Sequence, residues 1–423
     1  MNYKRIAFIG LASLLLAGSL TACGSSKAKS QAAISMENRD KLAAQADQPI
    51  IQASNNLGLR LHQQLLKEKP GQNVFLSPVS ISTALAMVYN GSGGETKTEL
   101  ERVLGWTNKS VDEINTGYRE LLKLLNQPGE GITLNIADSV WHNSRIAVDP
   151  NFSSTIKNSY EAEEQAIDVD KPEKSAKQIN DWISDHTSGM IDKLIEPDSI
   201  DASLVMVLLN AVYFNGTWKD QFDASFTMDH EFLLADGSRQ SLPFMNRSGR
   251  YSYTKNDDYE AIRLPYGQGQ MSMVILLPSA GSTLEALQDK LWNGKIGLFD
   301  QWRESYGQIR LPKFSIGYTT SLKEALQALS MKLSFTDAAD FSSLSSEPDV
   351  FISEIKHKSI IDVSEEGTKA AAVTSIEATT SSAEVVNEPF DMVVDRPFFL
   401  AIVDEQSDAL LFSGSIYNPA DTQ

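Results

Sequence analysis

The chain has 423 residues, of which 42% are hydrophobic and one is a cysteine, with a formal net charge of −18 at pH 7. This acidity argues against binding to nucleic acid or to other anionic polymers, because like charges repel. The lone cysteine excludes an intramolecular disulfide, and the apolar fraction is typical of a folded core rather than a disordered chain.

The N-terminal segment is typical of an export signal. Lys4 and Arg5 precede an apolar run over residues 6–20, which is too short to span a bilayer comfortably. The run ends in Leu20-Thr21-Ala22-Cys23, which resembles the lipobox of bacterial lipoproteins, where the cysteine is lipidated and the preceding peptide is removed. An ordinary signal peptide with an incidental cysteine is the alternative. We predict a lipoprotein signal peptide over residues 1–22 and a lipid anchor at Cys23, on the outer face of a bacterial cell membrane.

Residues 23–49 are rich in Ser, Ala, Gln and Lys, and this composition predicts a flexible tether. Loss of residues 1–22 removes Lys4 and Arg5, so the charge of −18 becomes about −20. From residue 50 onward the composition is that of a globular protein, without a repeat or an internal Pro/Gly/Ser-rich linker. We therefore predict one domain over residues 50–423.

Helical patterns dominate the first part of this domain. Leu57, Leu61 and Leu65 recur at helical spacing, and residues 80–89 predict a buried helix that begins after Ser77-Pro78. The glycine-rich residues 91–96 follow a helix rather than a strand. They therefore predict a helix C-cap and turn, with a phosphate-binding loop as the alternative.

Strand patterns dominate the last part. Residues 204–214 are nearly all apolar and include β-branched and aromatic residues, which predicts a strand buried on both faces, and residues 271–277 predict another strand. Residues 398–403 and 409–416 flank a polar turn, which predicts a hairpin. Helices followed by strands indicate an α+β fold.

Enzyme signatures are missing from the sequence. It contains no G-x-S-x-G, G-x-x-x-x-G-K-[ST] or H-E-x-x-H motif. Its five histidines show no metal-ligand spacing, so we expect no metal and no cofactor. A hydrolase with an unrecognised triad is the enzymatic alternative, although no residue spacing supports one.

Residues 365–380 combine a loop-like composition with the alternation of a β-strand. Read at period two, Thr368, Ala370, Ala372 and Thr374 share one face, whereas Lys369 lies on the other. A flexible Ala/Ser/Thr loop is the alternative interpretation.

Several ordered motifs together resemble the serpin family. The similarity covers residues 55–419 and rests on these segments: Asn73-Val74-Phe75-Leu76-Ser77-Pro78-Val79-Ser80-Ile81, Ile179-Asn180-Asp181-Trp182-Ile183, Leu209-Asn210-Ala211-Val212-Tyr213-Phe214-Asn215-Gly216-Thr217-Trp218, Leu264-Pro265-Tyr266, Leu311-Pro312-Lys313-Phe314, His357-Lys358 and Arg396-Pro397-Phe398.

This resemblance implies three β-sheets, about nine helices and an exposed reactive-centre loop over about residues 365–396. It implies a protease inhibitor rather than an enzyme. A target serine protease would attack the loop, form an acyl-enzyme, and be trapped when the cut loop inserts into the largest sheet. The uncut fold would then be metastable.

The resemblance also assigns functional residues. It implies a hinge that includes Glu365, Gly367, Thr368, Ala370, Ala371, Ala372 and Thr374. It implies a shutter cluster beneath the sheet, formed by Ser77, Ser80, Asn210 and His357. It implies a breach cluster where the loop first enters the sheet, formed by Trp218, Lys313 and Glu365, with an ion pair between Lys313 and Glu365. The alternatives are a helix cap for Ser77, a strand-end amide for Asn210, a core histidine for His357 and unrelated surface residues for the breach cluster.

The resemblance places the scissile bond fourteen residues after Gly367, between Ser381 and Ser382. No Lys or Arg lies between Lys369 and Arg396, so a trypsin-like target is disfavoured and an elastase-like or subtilisin-like protease is expected. The loop is a few residues longer than usual, which leaves positions from Thr380 to Val386 open.

The expected partners are therefore a target serine protease and, through Cys23, a membrane, or the extracellular medium if the protein is released. We expect a monomer, and the scattered Lys and Arg residues predict no heparin-like cofactor. The alternative function is that of a non-inhibitory serpin acting as a binding protein or a protease substrate. A charge or a proline within residues 368–374 would favour that alternative. Lys369 is the one charge there, and neither a proline nor a second charge occurs beside it.

Overall fold

The computed structural model describes residues 35–106, 108–300, 302–368 and 389–421. The predicted signal peptide, Cys23 and residues 23–34 of the predicted tether lie outside these ranges. So do four hinge residues and the predicted scissile bond: Ala370, Ala371, Ala372, Thr374, Ser381 and Ser382.

Nine α-helices occur in the described part of the chain: α1 (Met36–Ala43), α2 (Gln48–Glu68), α3 (Pro78–Gly91), α4 (Gly94–Leu104), α5 (Val111–Leu125), α6 (Pro150–Tyr160), α7 (Pro172–His186), α8 (Leu284–Trp292) and α9 (Lys323–Ala328). Their ends follow local sequence signals. A reciprocal capping box between Ser110 and Glu113 begins α5, and a proline in the first turn begins α3.

The strands within the same ranges are β1 (Val74–Leu76), β2 (Ile132–Asn143), β3 (Glu163–Ile167), β4 (Met206–Thr217), β5 (Met228–Leu233), β6 (Arg239–Lys255), β7 (Tyr259–Tyr266), β8 (Met271–Pro278), β9 (Arg303–Pro312), β10 (Phe314–Ser321), β11 (Ile352–Val363), β12 (Gly367–Thr368), β13 (Phe390–Val393), β14 (Phe398–Asp404) and β15 (Leu410–Ile416). The predicted hairpin is the pair β14 and β15.

A six-stranded sheet carries the functional region. Its strand order is β10-β11-β4-β2-β3, and β12 pairs with the end of β4. The central strands β4 and β11 are parallel neighbours, while β12 runs antiparallel to β4. Strand β4 is buried on both faces, as its nearly continuous apolar sequence predicts.

The other nine strands form one hydrogen-bonded network in the order β1-β15-β14-β8-β7-β6-β9-β13, with β5 on β6. The 17-residue strand β6 belongs to two parts of this network, because residues 239–244 pair with β5, residues 244–253 pair with β9 and residues 252–255 pair with β7. Two of the three sheets that the resemblance implies are therefore joined through β6 into one hydrogen-bonded network. The predicted α+β fold with about nine helices is confirmed.

Two cores lie on opposite faces of the six-stranded sheet. Even-numbered residues of β4, such as Leu208 and Val212, join the main core with α3. Odd-numbered residues, such as Leu209, join a smaller core with α7. On β4, even-numbered side chains therefore face the main core and odd-numbered side chains face the smaller core.

Residues 35–49 differ from the predicted flexible tether, because they form α1 and the start of α2. Arg39 is fully buried and forms an ion pair with the equally buried Asp404, and its Nε donates to the Gln127 carbonyl at 3.1 Å. Removal of one partner from such a buried pair typically costs about 3–5 kcal/mol. Composition alone could not reveal this contact, since Asp404 lies 365 residues away in the sequence.

The helices within the described ranges include none that combines the length and the apolar character needed to cross a bilayer.

Candidate functional site

The two-residue strand β12 pairs with the C-terminal end of β4. Gly367 lies opposite Thr217, and Thr368 lies opposite Gly216. The side chain of Thr368 is fully buried, and its Oγ1 lies 2.9 Å from the hydroxyl of Tyr266. Thr368 therefore already occupies the face of the sheet that its sequence parity predicts.

Gly367 turns the chain into this position. Its φ is +147°, and a Cβ at this residue would lie 2.1 Å from the Gly216 carbonyl oxygen. Such a distance is well inside van der Waals contact, so the turn requires glycine here.

Glu365 is fixed by two side-chain partners just before the turn. Its Oε2 lies 2.8 Å from Lys313 Nζ, and its Oε1 accepts from Thr227 Oγ1 at 2.8 Å. Burial alone would raise the pKa of Glu365, but the bonds from Lys313 and Thr227 outweigh it and lower the pKa. The ion pair that the resemblance implies between Lys313 and Glu365 is therefore present, in its ionised form at neutral pH.

Trp218 completes this breach cluster by binding the turn with its ring and its backbone. Its Nε1 donates to the Ser364 carbonyl at 2.9 Å, and its backbone N–H donates to the Glu366 carbonyl at 3.0 Å. The indole also stacks on Tyr266 with ring centroids 4.3 Å apart. Lys313 and Trp218 thus both bind the short turn that carries Glu365.

The predicted shutter cluster forms one row across the sheet. His357 of β11 lies opposite Asn210 of β4, and Asn210 lies opposite Asp138 of β2. The amide Nδ2 of Asn210 donates to Asp138 Oδ1 and to Ser80 Oγ, while its Oδ1 accepts from His357 Nδ1. This row crosses the boundary between β4 and β11.

Ser77 joins the row through its backbone rather than its hydroxyl. Its N–H donates to His357 Nε2 at 3.3 Å. Its Oγ makes no helix-capping bond and is buried without a hydrogen-bond partner among the described residues. The alternative in which the Ser77 side chain caps α3 is therefore wrong.

His357 is neutral in this arrangement. Burial lowers its pKa to about 3, and both ring nitrogens are already engaged by Ser77 and Asn210. A histidine held in this way cannot act as a general base at neutral pH, because its acceptor nitrogen is occupied.

Comparison with known proteins identifies the family to which this chain belongs. Residues 52–419 match the serpin (serine protease inhibitor) family. The chain belongs to the serpins.

Individual relatives agree with this assignment. Serpin-ZXA of Oryza sativa subsp. japonica is 34% identical over 82% of this chain and 91% of its own length. The leukocyte elastase inhibitor of Bos taurus is 31% identical over 87% of this chain and 98% of its own. The crystal structure of Serpin48, a highly specific serpin from Tenebrio molitor, has a TM-score of 0.80 at 28% identity and covers 88% of this chain and 98% of that one.

Two contributors to this serpin's clusters were missed by sequence reasoning. Asp138 is the one carboxylate of β2 and lies in its buried second half, and a carboxylate in a buried strand is a signal that could have been used. Tyr266 belongs to a motif already used for the resemblance, but its hydroxyl contact with Thr368 depends on an association between residues 102 positions apart.

The serpin family generally inhibits serine proteases. Within residues 35–368 and 389–421, apart from the gaps at 107 and 301, no group of three or more His, Cys, Asp or Glu side chains is placed to hold a metal.

Proposed function

We propose that this serpin is a suicide-substrate inhibitor of serine endopeptidases that inserts its cut reactive loop between β4 and β11. The observation that carries the proposal is β12, which is already hydrogen-bonded to the end of β4 with Thr368 buried. Insertion would therefore extend an existing strand rather than begin a new one, which avoids the entropic cost of its first contacts.

The register of β12 defines how this extension would proceed. Gly367 pairs with Thr217 and Thr368 with Gly216, so each further loop residue would meet the preceding residue of β4. Continued without a bulge, this register brings residue 374 opposite Asn210. Even-numbered loop residues would then face the main core, where threonine and alanine are accommodated with little steric cost.

The proposed chemistry begins as ordinary proteolysis. The hydroxyl of the protease serine attacks the carbonyl carbon of Ser381, an ester forms, and the bond to Ser382 breaks with its nitrogen taking a proton. Insertion would carry the bound protease away before water hydrolyses the ester. The small uncharged residue before the cut, together with the 31% identity to the leukocyte elastase inhibitor, supports an elastase-like or subtilisin-like target.

Incubation with a pancreatic-type elastase or a subtilisin is expected to give a covalent band at the summed mass on a denaturing gel. N-terminal sequencing of the released C-terminal fragment would identify the cut, which we expect at Ser382. The cleaved protein should unfold at a higher temperature than the intact one, because insertion adds backbone pairing and buried surface. Cleavage without a covalent band, and without a rise in melting temperature, would contradict the proposal and favour the non-inhibitory alternative.

We further propose that the protein is exported and held at a membrane by a lipid on Cys23. In cells that express the full chain, Cys23→Ala is expected to move the protein from the membrane fraction to the soluble or extracellular fraction, because the acyl chains supply the binding energy. Ser25→Ala, two residues further on, is the matched control and should stay in the membrane fraction. Equal partitioning of both variants would contradict the anchor.

A further inference from the structure

Asp138 is a buried carboxyl in the centre of the six-stranded sheet. Its residue is 5% exposed, and it lies on β2 directly opposite Asn210. Its Oδ1 accepts from Asn210 Nδ2, whereas its Oδ2 is buried and has no hydrogen-bond partner in the described part of the chain. A half-satisfied carboxyl in a core is costly, so its presence calls for a physical reason.

The hydrogen bonds around Asp138 have a fixed direction. The backbone N–H of Ser77 donates to His357 Nε2, so the ring proton of neutral His357 lies on Nδ1 and is donated to Asn210 Oδ1. The Asn210 amide group must then present Nδ2 on its other side, towards Asp138 and Ser80. A reversed amide would place two donors face to face at His357 and leave Asp138 without a donor.

We propose that Asp138 is a positioning residue for loop insertion: it holds the Asn210 amide in the orientation that joins β4 to β11. The inference rests on the proposed inhibitory function, because insertion must separate these two strands. Asp138 does not touch the inserting loop. It acts through Asn210, whose bond to His357 is the side-chain link in this row that crosses the opening boundary.

The charge of Asp138 makes this link depend on pH. Burial raises the pKa of Asp138 to about 7, and the Asn210 bond lowers it only in part. The closed sheet therefore prefers the protonated carboxyl. In a state where the strands have separated and water reaches the group, its pKa returns towards its usual value. The closed sheet is thus favoured at acidic pH and loses this contribution as the pH rises towards about 7.

The surrounding groups leave Asp138 as the titrating member of the row. Asn210 from β4 and Ser80 from α3 do not titrate, and His357 from β11 is neutral because burial lowers its pKa to about 3. Several ionisable side chains of the neighbouring elements bond to other partners: Glu163 to Trp182, Glu164 to His142 and Ser153, Tyr89 to Glu101, and Tyr160 to Asn115.

The test measures sheet opening without a protease. The intact protein is incubated with an excess of a synthetic peptide of the sequence of residues 367–380, and incorporation is followed from pH 5.5 to 8.5 by the shift in melting temperature. We expect the incorporation rate to rise about three- to tenfold across this range in the natural protein, since one proton changes an equilibrium by at most about tenfold per pH unit. Asp138→Asn should give a flat profile.

Asp362→Asn is the matched control, because it removes a carboxyl from β11 of the same sheet whose partner is Ser315 at the surface. This variant should keep the natural profile. Asp138→Ser serves as a second variant should Asp138→Asn fail to fold, since serine removes the charge without adding an amide donor.

Identical pH profiles in the natural protein and the folded Asp138 variant would overturn the inference. Failure of the proposed function gives a different result, in which the peptide enters with the expected pH dependence but the natural protein forms no covalent complex with any protease tested.

Discussion

Replacing Thr368 by arginine is expected to convert this serpin from the proposed inhibitor into a substrate. Thr368 is fully buried beside Tyr266, and its position lies close to the ion-paired Lys313 and Glu365 turn. A guanidinium at this position would lose its hydration in an apolar site, at a cost on the order of several kcal/mol. Since about 1.4 kcal/mol changes a rate ratio tenfold, we expect at least about a tenfold fall in the ratio of covalent complex to cleaved inhibitor.

The measurement is the number of moles of inhibitor consumed per mole of protease, combined with the gel ratio of complex to cleaved protein. Thr368→Ser is the matched control, because it keeps the hydroxyl that contacts Tyr266 and adds no bulk. It should inhibit at nearly the natural stoichiometry. If Thr368→Arg still traps the protease at full stoichiometry, insertion does not proceed through the buried position that β12 occupies.

Replacing Asn210 by alanine is expected to destabilise the uncut protein and to promote its spontaneous conversion to an inactive form. The amide of Asn210 bonds to Asp138, Ser80 and His357, and all four groups are buried. Its removal leaves these partners unsatisfied at about 1–3 kcal/mol each. It also deletes the side-chain link between β4 and β11 in this row. We expect a lower melting temperature and loss of inhibitory activity on storage at 37 °C.

Asn215→Ala is the appropriate control for Asn210→Ala. Asn215 lies five residues further along the same strand, is only half-buried, and by its odd number points to the opposite face of the sheet. Its substitution should change the melting temperature and the storage half-life little. Equal effects of the two substitutions would show that loss of any β4 amide, rather than the shutter row, weakens the sheet.

The element types in this protein are largely determined by local sequence. The apolar run of β4, the helix after Ser77-Pro78 and the hairpin of β14 and β15 each carry a periodicity or turn signal that acts over a few residues. The alternation of Thr368 with the alanines after it likewise predicts which face each side chain presents. For Thr368, the structure places the side chain on the buried face.

The clusters themselves depend on contacts between distant parts of the chain. Motif resemblance named Ser77, Ser80, Asn210 and His357 together, but it did not reveal Asp138, whose contact with Asn210 spans 72 residues. It also did not reveal that Ser77 contributes its backbone N–H rather than its hydroxyl. Such details depend on strand register and side-chain orientation, which short-range patterns do not specify.

The N-terminal residues 35–49 show the same limit most clearly. Their polar composition predicts a tether, yet Arg39 is buried against Asp404. Sequence by itself determined the periodicity of the main elements, the alternation of residues 368–374, the absence of Lys and Arg around the predicted cut, and the family resemblance. Only the tertiary structure decided which distant polar groups meet, because burial and ion pairing arise from the approach of segments that no local signal brings together.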